Sequence, residues 1–155
     1  CEVGFQRGAI EAAQLTNVVV TSLANVMKSA QNDIYNLRIR ELLERIEAAK
    51  ERYWNLPKRI RIEHGLRQEL GEVGYSAFSV LNTANEIMGK AIRDLYPIIE
   101  VTPFEPTKIL PVLSDPQDLL VYLEPIIADL EYRLAGCENA HNNAQVNAAD
   151  STDAQ

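Results

Sequence analysis

Glu138-Asn-Ala-His141 sets a carboxylate and an imidazole three residues apart, the spacing with which helices in bundles hold metal ions. Such a centre needs a second Glu-x-x-His pair and further inward-facing carboxylates, and the chain has neither. Its other histidine, His64, directly follows Glu63, and adjacent helical residues do not face one another. Glu41, Glu44, Glu47 and Glu51 form an acidic group, but Arg45, Lys50 and Arg52 are interspersed among them, which is the pattern of a solvated helix face. There is no His-Glu-x-x-His zinc motif, no Gly-x-Ser-x-Gly elbow and no phosphate-cradling glycine loop; the Gly71-Glu-Val-Gly74 stretch lacks the preceding strand such a loop requires. No catalytic residue, metal site or cofactor is expected, and the chain reads as a protein that is not an enzyme.

The most distinctive chemistry lies in ERYWNLPKRIRIEHGLR, residues 51–67. A turn here brings Arg52, Tyr53, the single tryptophan Trp54, Lys58, Arg59 and Arg61 to one tip. Aromatic side chains beside guanidinium groups are the residue types that carry binding energy at protein interfaces. They also suit an anionic surface. Charge reversal at Arg59 and Arg61 is expected to weaken partner binding at unchanged stability. A second candidate is an apolar cavity between helices, where Ala12, Ala13, Ala77, Ala84 and Gly74 leave room beside Tyr75, Phe78 and Phe104 for a small hydrophobic ligand.

Cys1 and Cys137 stand at the two edges of the apolar part of the chain. They read as one disulfide, which implies an oxidising compartment and a signal peptide removed before Cys1. Two alternatives are a lipid-modified Cys1 of a bacterial envelope lipoprotein and a pair of free thiols.

The elements that must position these residues are helical. Leu15, Val19, Leu23, Val26, Ala30 and Ile34 form an amphipathic stripe. Gln31-Asn32-Asp33 offers turn and cap chemistry, which predicts a second helix from about Asp33 to Leu56, halted by Pro57 and supported by a Glu41–Arg45 pair. A third stripe, Leu66, Leu70, Val73, Ala77, Leu81, Ala84, Met88, Ala91 and Leu95, runs up to Pro97 and contains Gly71 and Gly74. The proline-rich, apolar segment 97–116 reads as an extended strap with Ile98, Ile99, Phe104, Ile109 and Leu110 over the core. Asp115-Pro116 then starts a last helix on Leu119, Leu123, Ile126, Leu130 and Leu134, bent at Pro125 and ended at Gly136. The expected fold is an all-α, antiparallel up-down-up-down four-helix bundle. Residues 1–137 form one domain that brings Cys1 and Cys137 to the same end, and 138–155 a polar, mobile tail.

The chain has 155 residues and a net charge of −7, against general nucleic-acid binding. Nine of its fifteen basic side chains fall within residues 38–70, whereas from Asp94 onward only Lys108 and Arg133 face eleven acids. No apolar run reaches the ~20 residues of a transmembrane segment. The reading that unites these features is a secreted, non-enzymatic helical binding protein, an inhibitor or effector acting on an extracellular or host protein. Its rivals are a carrier of lipid or another hydrophobic small molecule, and the Cys1-anchored envelope lipoprotein.

Overall fold

A computed structural model describes residues 22–69, 74–99 and 111–152. Four helices occur among them: α1 Leu23–Asn55, α2 Lys58–Glu63, α3 Ala77–Ala91 and α4 Pro116–Thr152. The class is all-α; the described residues hold no strand beyond one isolated antiparallel bridge between Ile98 and Leu113. The chain divides into two units, Cys1–Tyr35 and Asn36–Gln155.

Of the first unit, the start of α1 is described. Leu23, Val26, Met27 and Ile34 are all exposed there. Leu15 and Val19, expected on the same stripe, lie outside the described residues. The turn predicted at residues 31–33 does not form, because α1 is helical straight through it. Gln31 donates a hydrogen bond from Nε2 to the Tyr35 hydroxyl across this stretch (2.9 Å), an i,i+4 tie along the helix. Asn and Asp in a helix interior cost only tenths of a kcal/mol each, about 0.7 at most, too little to break so long an element.

In the second unit, α1 buries Ile39, Leu42, Ile46, Ala49 and Tyr53 at alternating threes and fours, and Leu56 just past its end continues the pattern. On α4, Leu120, Leu123, Ile127, Leu130, Leu134 and Cys137 repeat the pattern, with Ile127 in the core place expected for Ile126. The two helices run side by side and parallel, because three arginines of α1 each grip a glutamate of α4 with both carboxylate oxygens. Arg38 pairs with Glu124 (2.7 and 2.8 Å), Arg45 with Glu131 (3.0 and 2.7 Å) and Arg52 with Glu138 (2.8 and 2.8 Å). Each pair lies seven residues beyond the last on both helices, so one register holds over two heptads. Arg45 thus reaches across to α4, where the sequence suggests an intrahelical partner in Glu41.

Pro57 stops α1 as expected, and Asp115 caps α4: its Oδ1 accepts from the Asp118 backbone N–H (2.9 Å), while Asp118 Oδ2 accepts from Ser114 (3.0 Å). The third helix is shorter than its stripe. Gly65, at φ +68°, ends α2, and the Leu66 and Arg67 N–H groups both donate back to the Arg61 carbonyl (2.8 and 3.0 Å). Ser76 then caps α3 by accepting from the Ser79 N–H (3.3 Å). Leu66 is buried although it belongs to no helix, so a helical spacing passed through it without a helix. Ala77, Val80, Leu81, Ala84, Ile87, Met88 and Ala91 form the buried face of α3, and Leu95 is exposed beyond its end.

Of the strap, Ile98 is buried and Ile99 exposed; Phe104, Ile109 and Leu110 lie outside the described residues. Pro125 sits inside α4. Gly136 does not end that helix, and the segment expected to be a mobile tail is helical from Glu138 to Thr152. The Arg52–Glu138 bridge and a contact between His141 and Gln145 (3.1 Å) lie along this extension, and its alanines favour helix.

Candidate functional site

The residues expected at one tip are brought together by the end of α1, the tight turn at Pro57 and the start of α2, but they do different work. Arg52 is committed to Glu138, and that hydrogen bond raises the Arg52 pKa and lowers the Glu138 pKa from their ordinary values. Tyr53 is buried, at a core position of α1. Arg61 is also buried, 7% exposed, with its guanidinium carbon 4.5 Å from the Tyr53 ring centre and 5.0 Å from that of Trp54. Stacking of this kind contributes about 0.5–2 kcal/mol. The Arg61 Nε and Nη1 groups have no hydrogen-bond partner among the described residues. Trp54, Lys58 and Arg59 face outward, and Arg59 forms an ion pair with Glu63 at 3.5 Å.

Trp54 is 51% exposed and continues a chain of edge-on rings: 5.2 Å from Tyr53 on one side and 5.9 Å from Phe78, itself 44% exposed, on the other. These three rings wall a groove of about 490 Å³, completed by Arg67, Gln68, Gly74 and Ser76. Gln68 and Gly74 shape it jointly. Gln68 Nε2 donates to the Tyr75 carbonyl (3.0 Å), and a Cβ at position 74 would come within 2.8 Å of that nitrogen, so a larger residue at 74 would displace the Gln68 amide. Arg67, half-buried in the groove, takes part in no ion pair among the described residues. Gln68 is the part of the site least visible in the sequence; Arg67 ends the basic stretch 51–67, and Gly74 and Phe78, expected beside an interhelical cavity, meet Trp54 in this groove. Arg67 and Gln68 lie just beyond the turn, and Phe78 comes from another helix.

The cysteine expectation meets a different environment. Among the described residues Cys137 is a free, buried thiol with Sγ 3.8 Å from the Ile60 carbonyl. Burial and the neighbouring Glu138 raise its pKa, which disfavours the reactive thiolate. Cys1 lies outside the described residues. So do Ala12, Ala13 and Phe104 of the expected cavity, whereas Ala77 and Ala84 are fully buried in the face of α3.

His64 and His141 are both outside the core, and no group of three or more metal-ligating side chains occurs among the described residues. Glu41, Glu44, Glu47 and Glu51 lie on the exposed side of α1, with Glu47 pairing to Lys50 at 3.5 Å. Tyr75 stacks under Arg133, whose guanidinium carbon is 4.4 Å from the ring centre, and burial pushes the Tyr75 hydroxyl up to about 12. No helix among the described residues is long and apolar enough to cross a membrane.

No protein-family model, curated protein or solved structure matches the chain.

Proposed function

We propose that the protein is a non-enzymatic helical binding protein that engages another macromolecule through the groove at the α1–α2 turn. One observation carries the reading: Trp54 and Phe78 stand half-exposed and edge-on beside an arginine without an ion pair, on a concave surface. Tryptophan and arginine are the residues in which interface binding energy concentrates. The α1–α4 pair acts as the rigid support. Its buried heptad residues and the Arg–Glu ladder fix the turn from which Trp54 projects.

The proposal is narrower than the sequence reading of the tip. Arg52, Tyr53 and Arg61 support the surface from within, while Trp54, Arg67 and Phe78 form it. Photo-crosslinking tests it. Benzoylphenylalanine replacing Phe78 is expected to capture a discrete macromolecular partner from the source tissue or culture. The same group at Tyr132, which is 80% exposed on α4, is not. Equal capture from both positions, or none from position 78, would remove the groove as the docking surface.

A further inference from the structure

The proposed docking groove has an electrostatic character that narrows its partner. Arg61 is the unusual residue beneath it: a guanidinium 7% exposed, lying against two of the rings that wall the groove, with Nε and Nη1 unpaired. A buried cation without a carboxylate is costly and persists only where something offsets it. The faces of Tyr53 and Trp54 do so in part. Arg67, on the groove surface, adds a second positive charge that no acid neutralises among the described residues.

The remaining polar groups have free valences of a particular kind. Gln68 uses Nε2 on Tyr75, which leaves Oε1 to accept from a ligand N–H. Ser76 Oγ accepts from Ser79, which leaves its O–H to donate to a ligand carbonyl. One amide acceptor and one hydroxyl donor suit a peptide backbone, and Trp54 with Phe78 suits an apolar side chain. The volume, about 490 Å³, falls within the range of specific ligand sites, roughly 300–1,000 Å³.

We propose that the groove binds an acidic peptide segment, with a carboxylate on Arg67 and an adjacent aromatic or aliphatic side chain seated on Trp54 and Phe78. This rests on the docking reading above and adds the chemistry of the partner. Because Trp54 is the chain's one tryptophan, its emission reports directly on occupancy.

The test titrates the full chain with the blocked peptide acetyl-Asp-Glu-Phe-Asp-amide while Trp54 fluorescence is followed. A saturable shift is expected. It should weaken about tenfold or more in Arg67→Gln and in Phe78→Ala, the loss of one charge-assisted or one aromatic contact, and stay unchanged in Arg40→Gln, at an exposed position of α1 away from the tip. Circular dichroism confirms that each variant is folded. An absent response at millimolar peptide, an equal response to acetyl-Lys-Lys-Phe-Lys-amide, or full binding by Arg67→Gln overturns the proposal. So does a shift produced by phosphatidylserine vesicles and not by the peptide, which would assign the groove to an anionic lipid surface. If the peptide fails while crosslinking at position 78 succeeds, the ligand class falls and the docking surface stands. If both fail, the docking surface falls as well.

Discussion

Arg61 carries most of the tension in the molecule at the scale of single residues. From the sequence it is one of four basic side chains at a turn, interchangeable with Arg59; in the fold one is buried and the other is in water. The difference follows from helical position. Ile60 and Arg61 form the inner side of the short α2, and Tyr53, at a core position of α1, supplies the ring on which the guanidinium rests. Unchanged stability on charge reversal therefore remains the expectation for the exposed Arg59 and is replaced for Arg61. Arg61→Glu places an unpaired carboxylate against aromatic rings and is expected to cost about 3–5 kcal/mol. Arg61→Met keeps a long side chain, removes the two unpaired donors and should change stability by less than about 1 kcal/mol in either direction. Urea melts of the two variants separate these effects. A loss for Arg61→Met as large as that for Arg61→Glu would mean that the charge has a partner in the native state.

Elements were legible where a single residue has a backbone consequence. Pro57 ends α1, and Asp115-Pro116 starts α4, because proline geometry and a capping carboxylate act locally. They were misread where tertiary ties or length outweigh a weak local preference. Asn32 and Asp33 do not break α1, and Leu66 keeps a helical spacing while serving a turn. Even the first stripe carries a warning in its numbering. From Ile34 to Ile39 is a five-residue step, a turn of roughly 140° on a 3.6-residue helix, so the exposed and buried stripes of α1 are not continuous. Gly136 is the most instructive case. Its place after Leu134 suggests a terminator, yet α4 passes through it, and a Cβ added there would meet nothing within 4 Å. Gly136→Ala should accordingly stabilise the protein by about 0.5–1 kcal/mol, through the lower entropy of the unfolded chain. At this chain length that raises the melting temperature by roughly 1–4 °C. A lower melting temperature would show that residue 136 needs glycine's freedom, as a helix end does.

At the scale of the whole molecule, the parallel pairing of α1 and α4 is written twice in the sequence: arginine at 38, 45 and 52, glutamate at 124, 131 and 138. Neither series means much alone, since each arginine also has acids nearby in sequence; the match appears only when the two are laid side by side. Buried isoleucine and leucine side chains, at about 1.5–3 kcal/mol each, supply the stability of the pair. The ladder adds register, because a slip of one residue would separate all three ion pairs together. Its last rung has a further role. Arg52–Glu138 joins the last turn of α1, which carries Trp54, to the stretch of α4 that passes Gly136, so it ties the groove end of α1 to the helix extension. The Glu138 carboxyl is held below its ordinary value of about 4.3, first by the Arg52 hydrogen bond, with burial opposing. A depressed carboxyl pKa means that the bridge contributes fully above the unfolded value and is lost as pH falls through the folded one. Both side chains are about a third exposed, which limits the contribution to about 1 kcal/mol. Glu138→Gln should therefore be less stable than the parent by up to that amount at neutral pH, with the gap closing as pH drops below about 4.3. Hydrogen exchange at neutral pH should show faster exchange in residues 139–145 of the variant and unchanged protection at 119–134. A gap that persists in acid would assign the effect to lost packing; unchanged exchange at 139–145 would show that the extension of α4 holds without its tie to α1.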